Sequence, residues 1–134
     1  MTTFGFLLPT REIVMNQEIP NFREIVDLAE HAEALGFDSV WVGDSVLARP
    51  RFEALTTLAA VAGRTQRVRL GTAVLLPMLR HPVLLANEVA SLDHVANGRL
   101  ILGVGIGGNA PAVVRGFAAC GVLIFRRVTG VAND

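Results

Sequence analysis

The feature that most constrains this chain is the stretch from Val68 to Asn109. It reads V-R-L-G-T-A-V-L-L-P-M-L-R-H-P, then a helical pattern, then N-G-R-L-I-L-G-V-G-I-G-G-N. Val68 to Leu76 is apolar nearly throughout, as expected of a strand covered on both faces. Gly71, Thr72 and Ala73 lie in its middle, where a buried strand normally carries bulky branched residues. Small side chains there point to a bulge, or to a flat ligand lying against the backbone. Leu100 to Ile106 repeats the buried-strand pattern and runs into Gly107-Gly108-Asn109. Between the two strands, His81-Pro82 opens a helix, Leu85, Val89, Leu92 and Ala96 form its apolar stripe, and Asn97-Gly98 stops it. Strand, helix and parallel strand make a right-handed βαβ unit.

The rest of the chain repeats that unit. Phe4 to Leu8 is a short apolar strand, and Thr10 to Pro20 reads as a loop. Asn21 and Glu24 have capping-box spacing ahead of Ile25, Leu28, Ala29, Ala32 and Leu35, with Gly36 as the stop. Asp38 to Gly43 is a second strand, Asp44 to Arg51 a loop, and Phe52, Leu55, Ala59 and Ala62 a second helical stripe. A fourth helix is expected from Ala110 to Ala119, with Asn109 as its cap and Pro111 in its first turn. Strands therefore start near residues 4, 38, 68 and 100, at intervals of 34, 30 and 32. A (β/α)8 barrel of about 250 residues has about 31 per unit. Four units of a doubly wound sheet have the same period, so spacing alone leaves both open.

Gly103, Gly105 and Gly108 match G-x-G-x-x-G between a strand and a helix. A Rossmann-type dinucleotide-binding domain needs an acidic residue about 20 positions later. Val95 to Asn133 contains no Asp or Glu, and the motif sits in the fourth unit instead of the first. Glycines that close a barrel strand and turn backbone N–H groups toward a ligand fit the run better.

Composition removes several classes of function. The 12 basic residues balance 12 acidic ones, which leaves no electrostatic footprint for nucleic acid or an anionic membrane. All the basic residues are Arg, which excludes lysine Schiff-base and P-loop chemistry. Cys120 is the single cysteine, so no intrachain disulfide or CxxC metal site exists, and a buried inert thiol is expected. No apolar run reaches membrane-spanning length, and M-T-T-F-G-F has no basic n-region, so a cytoplasmic location is expected. His31 is expected on a solvated helix face, His94 near a helix end, and His81 at a helix start near the strand ends.

Four segments in this order carry a family resemblance: V-W-V-G-D-S-V-L-A-R-P, R-V-R-L-G-T-A-V-L-L-P, R-H-P-V-L-L-A-N-E-V-A-S-L-D and G-R-L-I-L-G-V-G-I-G-G. Together they resemble the bacterial luciferase-like flavin- and deazaflavin-dependent oxidoreductases, over about residues 3 to 122. The resemblance implies the N-terminal half of a TIM barrel, with parallel strands ordered 1-2-3-4 and helices on the convex side. Residues 1–122 would be a partial barrel domain and 123–134 a divergent tail. It implies FMN or the deazaflavin coenzyme F-420 as cofactor, a small-molecule substrate, and a non-proline cis peptide at Ala73–Val74 under the ring. Gly71, Thr72, Ala73, Val74, Gly105, Gly107 and Asn109 become the candidate cofactor contacts. Asp44 and Ser45 become the catalytic candidates. Many relatives carry His where this chain has Ser45, and deazaflavin enzymes often carry Glu near Asn109, so the acid–base residues stay unassigned. Asp44 is read either as a loop anchor or as a substrate contact.

Family members run to about twice this length or more, so a truncated gene product is one expectation. A catalytically silent half-barrel that binds a partner is the alternative. Open barrel edges and a mean hydropathy of +0.48 lead to an expectation of homo-oligomers or aggregates.

Overall fold

The computed structural model describes residues 2–17 and 19–122. Strands β1 (Gly5–Leu7), β2 (Ser39–Val42), β3 (Arg69–Thr72) and β4 (Leu100–Ile101) form one sheet in the order β1-β2-β3-β4. All three pairings are parallel, and Leu7, Trp41, Gly71 and Ile101 lie in one row across the sheet. The 3-2-1-4 order of a dinucleotide fold is absent. The sheet has the sequential order that a barrel half requires.

Helices α2 (Phe22–Ala34), α3 (Ala54–Ala62) and α4 (Pro82–Val95) cover one face. Alternation in the strands decides which face. Val40, Val42 and Leu70 point into the same core as Ile25, Ala29, Leu55, Leu58, Leu92 and Ala96. Leu85 and Val89 of the α4 stripe are half-buried against that core. The other face carries Leu7, Trp41, Gly71 and Ile101, with Leu7 61% exposed. Trp41 is the exception to an open apolar surface there. Its indole lies over Gly5 and Gly71, where a Cβ at either glycine would strike the ring. Its Nε1–H donates to Ser39 Oγ at 2.8 Å. The space above Gly71 is therefore filled by a side chain of the neighbouring strand.

The helix stops follow backbone chemistry. Gly36 has φ 86°, and Asn97 and Gly98 have φ 53° and 72°. These left-handed values end α2 and α4 where Gly and Asn stand in the sequence. The Asn21 box forms in altered shape: Asn21 Oδ1 accepts from Arg23 N at 3.2 Å, and its amide donates to Glu24.

Four expectations need correction. Thr10–Asn16 is a helix, α1, not a loop. It is a short segment held by burial of Thr10 and Ile13 instead of by a cap or propensity. The cap of α5 (Pro111–Ala119) is Ala110, with no side-chain bond, so Asn109 does not cap that helix. Cys120 is exposed, because it falls at the outer end of α5 instead of on its packed side. The regular ladders of β3 and β4 are shorter than the apolar runs that encode them, because β3 bulges after Thr72. The chain rejoins the ladder at Leu75, whose N–H donates to Gly103 O at 2.8 Å and whose carbonyl accepts from Gly105 N at 2.9 Å. The 123–134 tail lies outside the described residues.

Candidate functional site

Because every strand is parallel, all four release their following loops at the same end of the sheet. Gly43-Asp44-Ser45 leaves β2, Ala73-Val74 leaves β3, and Gly103 to Asn109 leaves β4. The residues singled out from sequence thus converge at one end.

Asp44 is the best-held group there. Its side chain is 3% exposed and pairs with Arg80 through both carboxylate oxygens, at 2.6 and 3.1 Å. Asp44 Oδ2 also accepts Leu76 N–H at 2.9 Å. Arg80 reaches on to Glu53 at 2.7 Å, and Glu53 caps α3 by accepting Thr56 N–H at 2.6 Å. Burial works against the Arg80 charge, but the Asp44 and Glu53 carboxylates hold its pKa above the ordinary arginine value. Burial likewise raises Glu53, and the Thr56 N–H and Arg80 outweigh it, leaving the pKa lowered. The cluster ties the loop after β2 to the exit of β3 and the start of α3. In this structure the Asp44 carboxylate is a loop anchor. Ser45 Oγ accepts Arg49 N–H at 3.1 Å and closes a turn in that loop.

The bulge forms a ledge beside this anchor. The Ala73–Val74 peptide is cis, at the bond the motif indicated. Val74 is 43% exposed at the ledge, while Leu75 behind it is fully buried. Two glycines let β4 approach. A Cβ on Gly103 would collide with the Thr72 carbonyl, and one on Gly105 with Val74 Cγ2. Thr72 is buried and donates its hydroxyl to Gly103 O at 2.7 Å. Beyond the ledge, the N–H groups of Gly107, Gly108 and Asn109 make no hydrogen bond to another described backbone group. Gly107 has φ 78° and packs on Phe117, which α5 buries to 1% exposure.

A cavity of about 250 Å³ lies between these loops. It brings together Asp44, Ser45 and Gly107, with Leu76 and Phe117 as apolar walls. Gly105 and Val74 touch each other on the neighbouring ledge. Gly71 and Thr72 lie deeper in the sheet, and Asn109 is exposed outside the cavity lining. His31, His81 and His94 are exposed, and His81 is the N-cap of α4 without a side-chain bond. Among the described residues no group of His, Cys, Asp or Glu is arranged to hold a metal, and no helix is long and apolar enough to cross a membrane.

Sequence reasoning missed Arg80, Glu53, Arg51 and Trp41. Glu53 falls inside the apolar stripe read from Phe52, whereas α3 starts at Ala54, and Glu is not one of the residue types that mark an N-cap. The other three carry no local signal, because Asp44 for Arg80, Thr10 for Arg51 and Gly71 for Trp41 lie in other units.

Comparison with known proteins agrees with this geometry. The family model described as luciferase-like monooxygenase matches residues 2–120. An F420-dependent glucose-6-phosphate dehydrogenase of Amycolatopsis mediterranei is 46% identical over 92 residues, which are 63% of this chain and 27% of that protein. The monooxygenase RslO1 of Streptomyces bottropensis superposes with a TM-score of 0.78 at 33% identity, over 92% of this chain and 37% of that one. The oxygenating constituent of 3,6-diketocamphane monooxygenase from Pseudomonas putida, solved with FMN, shares the fold. Its TM-score is 0.74 at 19% identity, over 90% of this chain and 33% of that one. The chain thus spans between 27% and 37% of the length of these three proteins. With its parallel four-stranded order and a family match over residues 2–120, the chain belongs to the luciferase-like monooxygenase family.

Proposed function

We propose that the chain supplies the ring-binding side of a flavin- or deazaflavin-dependent oxidoreductase acting on a small organic substrate. The observation that carries this reading is the exposed Val74 beside the side-chain-free Gly105, followed in the same loop by Gly107 and Gly108 N–H groups without a backbone partner among the described residues. Its residues fit a flat heteroaromatic ring. Val74 offers an apolar contact to a ring face, and the side-chain-free Gly105 leaves room beside it. The N–H groups of Gly107 and Gly108 point to hydrogen bonding with the ring's polar edge. A bound flavin or deazaflavin would supply the two-electron chemistry. The chain's own residues orient the ring, and Leu76 and Phe117 keep water from one side of the cavity. Asp44 keeps the loop after β2 in place through Arg80 and Leu76. Ser45 and Asn109 remain the polar candidates for substrate or cofactor contact.

Partner binding by the same sheet is a second reading, favoured by the apolar open side. Leu7, Val104 and Ile106 are 61%, 56% and 83% exposed. Burying one such side chain is worth about 1.5–3 kcal/mol. Association through this face, or through the β1 and β4 edges, follows from that exposure. A cytoplasmic setting fits both readings.

The test is titration of the 134-residue chain with FMN and with coenzyme F-420, followed by ring fluorescence, with size measured by light scattering. We expect saturable binding weaker than about 1 μM, in an associated species. Gly105→Val should abolish it, because the new side chain displaces Val74 from the ledge. Absence of binding, or binding indifferent to Gly105→Val, would overturn the ring site.

A further inference from the structure

Two buried side-chain atoms among the described residues have no hydrogen-bond partner: Thr10 Oγ1 and Arg51 Nε. They come from different units of the chain, yet both residues line one cavity of about 250 Å³ beside Gly43 and Ala73. Thr10 is 1% exposed. A buried polar group without a partner costs about 1–3 kcal/mol, so two in one cavity mark a place where something else is accommodated.

Charge says what that is. Arg11, Arg49 and Arg51 all border the cavity. Glu12 also borders it, but pairs with Arg11 at 2.8 Å. Asp44, the next acid, is held by Arg80. Arg49 and Arg51 have no side-chain hydrogen bond or ion pair among the described residues, and the Glu12 and Asp44 carboxylates act on Arg51 only through space. Burial first, and then repulsion from Arg11, outweighs the Glu12 and Asp44 carboxylates and lowers the Arg51 pKa, a balance that favours an added anion. Gly43 is part of the design. Its bare backbone is where the Arg51 guanidinium rests, and a Cβ there would collide with Nη1. A planar guanidinium fork, a second arginine and a hydroxyl donor together match a tetrahedral oxyanion.

We propose that Arg51, Arg49 and Thr10 form an oxyanion subsite for a phosphate or phosphate-monoester group, with Gly43 as its floor. The subsite lies at the rim of the Asp44 cavity, which the same two arginines also line. It does not depend on the ring-binding reading, and the phosphate titration that tests it uses no flavin.

The probe is inorganic phosphate, titrated into the 134-residue chain at constant ionic strength in chloride and followed by calorimetry and 31P line width. We expect saturable binding of about 1 mM. Arg51→Gln should weaken it about tenfold or more. Gly43→Ala should do the same while retaining every charge, because it displaces the guanidinium. Arg64→Gln, at an ion pair with Glu30 elsewhere, should leave it unchanged. Circular dichroism checks that each variant is folded. Phosphate binding that does not saturate, or that survives both Arg51→Gln and Gly43→Ala, overturns the proposal. A second arm separates the sources. An affinity advantage of FMN over riboflavin that Arg51→Gln removes assigns the subsite to a cofactor phosphate. Equal affinities, with free phosphate still bound, assign it to a substrate group.

Discussion

The two ends of the sheet treat polar groups in opposite ways. At the N-terminal ends of the strands, Arg99 donates five hydrogen bonds. It reaches Ala96 O, Val68 O, Ala62 O, Thr65 O and Thr65 Oγ1, at 2.7 to 3.1 Å. Glu33 there accepts the backbone N–H groups of Gln66, Arg67 and Val68, and Asp38 accepts that of Phe4 at 2.7 Å. At the C-terminal ends, Asp44, Arg80 and Glu53 are equally well matched, but Arg51 and Thr10 are not. Val74 and Ile106 are exposed beside them. Both ends use arginine, so residue type does not make the difference. One arginine meets carbonyls that the fold itself turns inward. The other leaves its Nε without a hydrogen-bond partner among the described residues. In barrel folds the first end serves stability and the second serves ligands, and here the hydrogen-bond inventory draws that line.

Three substitutions break or sharpen this contrast, in order of expected effect. Arg99→Ala removes the guanidinium from the carbonyls of Ala62, Thr65 and Val68 in partly buried positions. We expect a loss of about 3 kcal/mol in urea unfolding. A loss below about 1 kcal/mol would erase the distinction between the ends.

Glu33→Gln should cost about 1 kcal/mol at pH 7, discounted for solvent access. Burial raises the Glu33 pKa, but the three N–H donors outweigh it and the pKa is lowered. The native carboxylate therefore adds stability above its unfolded pKa of about 4.3, and this is lost as pH falls through the lower folded value. The melting temperatures of native and variant chains should converge in acid. A gap that widens below about pH 4 would mean the carboxylate is not the stabilising form.

Arg51→Met should have the smallest effect on folding in phosphate-free buffer: a change within about 0.5 kcal/mol, or a slight gain. A loss as large as that of Arg99→Ala would show that Arg51 is structural and that the contrast between the ends is false.

Much of the fold is legible locally. The spacing of Leu85, Val89, Leu92 and Ala96 sets the core face of α4. Gly36 and Asn97-Gly98 supply the left-handed positions that stop two helices. The V-R-L-G-T-A-V-L-L-P motif located the cis bond and the bulge. The helix faces and stops depend on neighbours within a few residues, which periodicity and φ preference report directly, whereas the cis bond was indicated only by the family resemblance. The site was legible only in outline, as a set of loops that parallel strands must bring to one end.

Tertiary structure decided what each polar side chain meets. Arg80 lies 36 residues from Asp44 and 27 from Glu53, yet joins them in one cluster. Trp41 fills the space above Gly71 because the β2–β3 register sets those two positions side by side. Arg51 comes beside Thr10 of the preceding unit for the same kind of reason. Parallel pairing places positions about one repeat apart in contact, and the identity of a partner at that distance leaves no trace in the pattern around either residue. The sequence by itself thus determined the elements, their stops and the end of the sheet where the loops gather. Only the folded chain decided which charges are matched there and which remain open to a ligand.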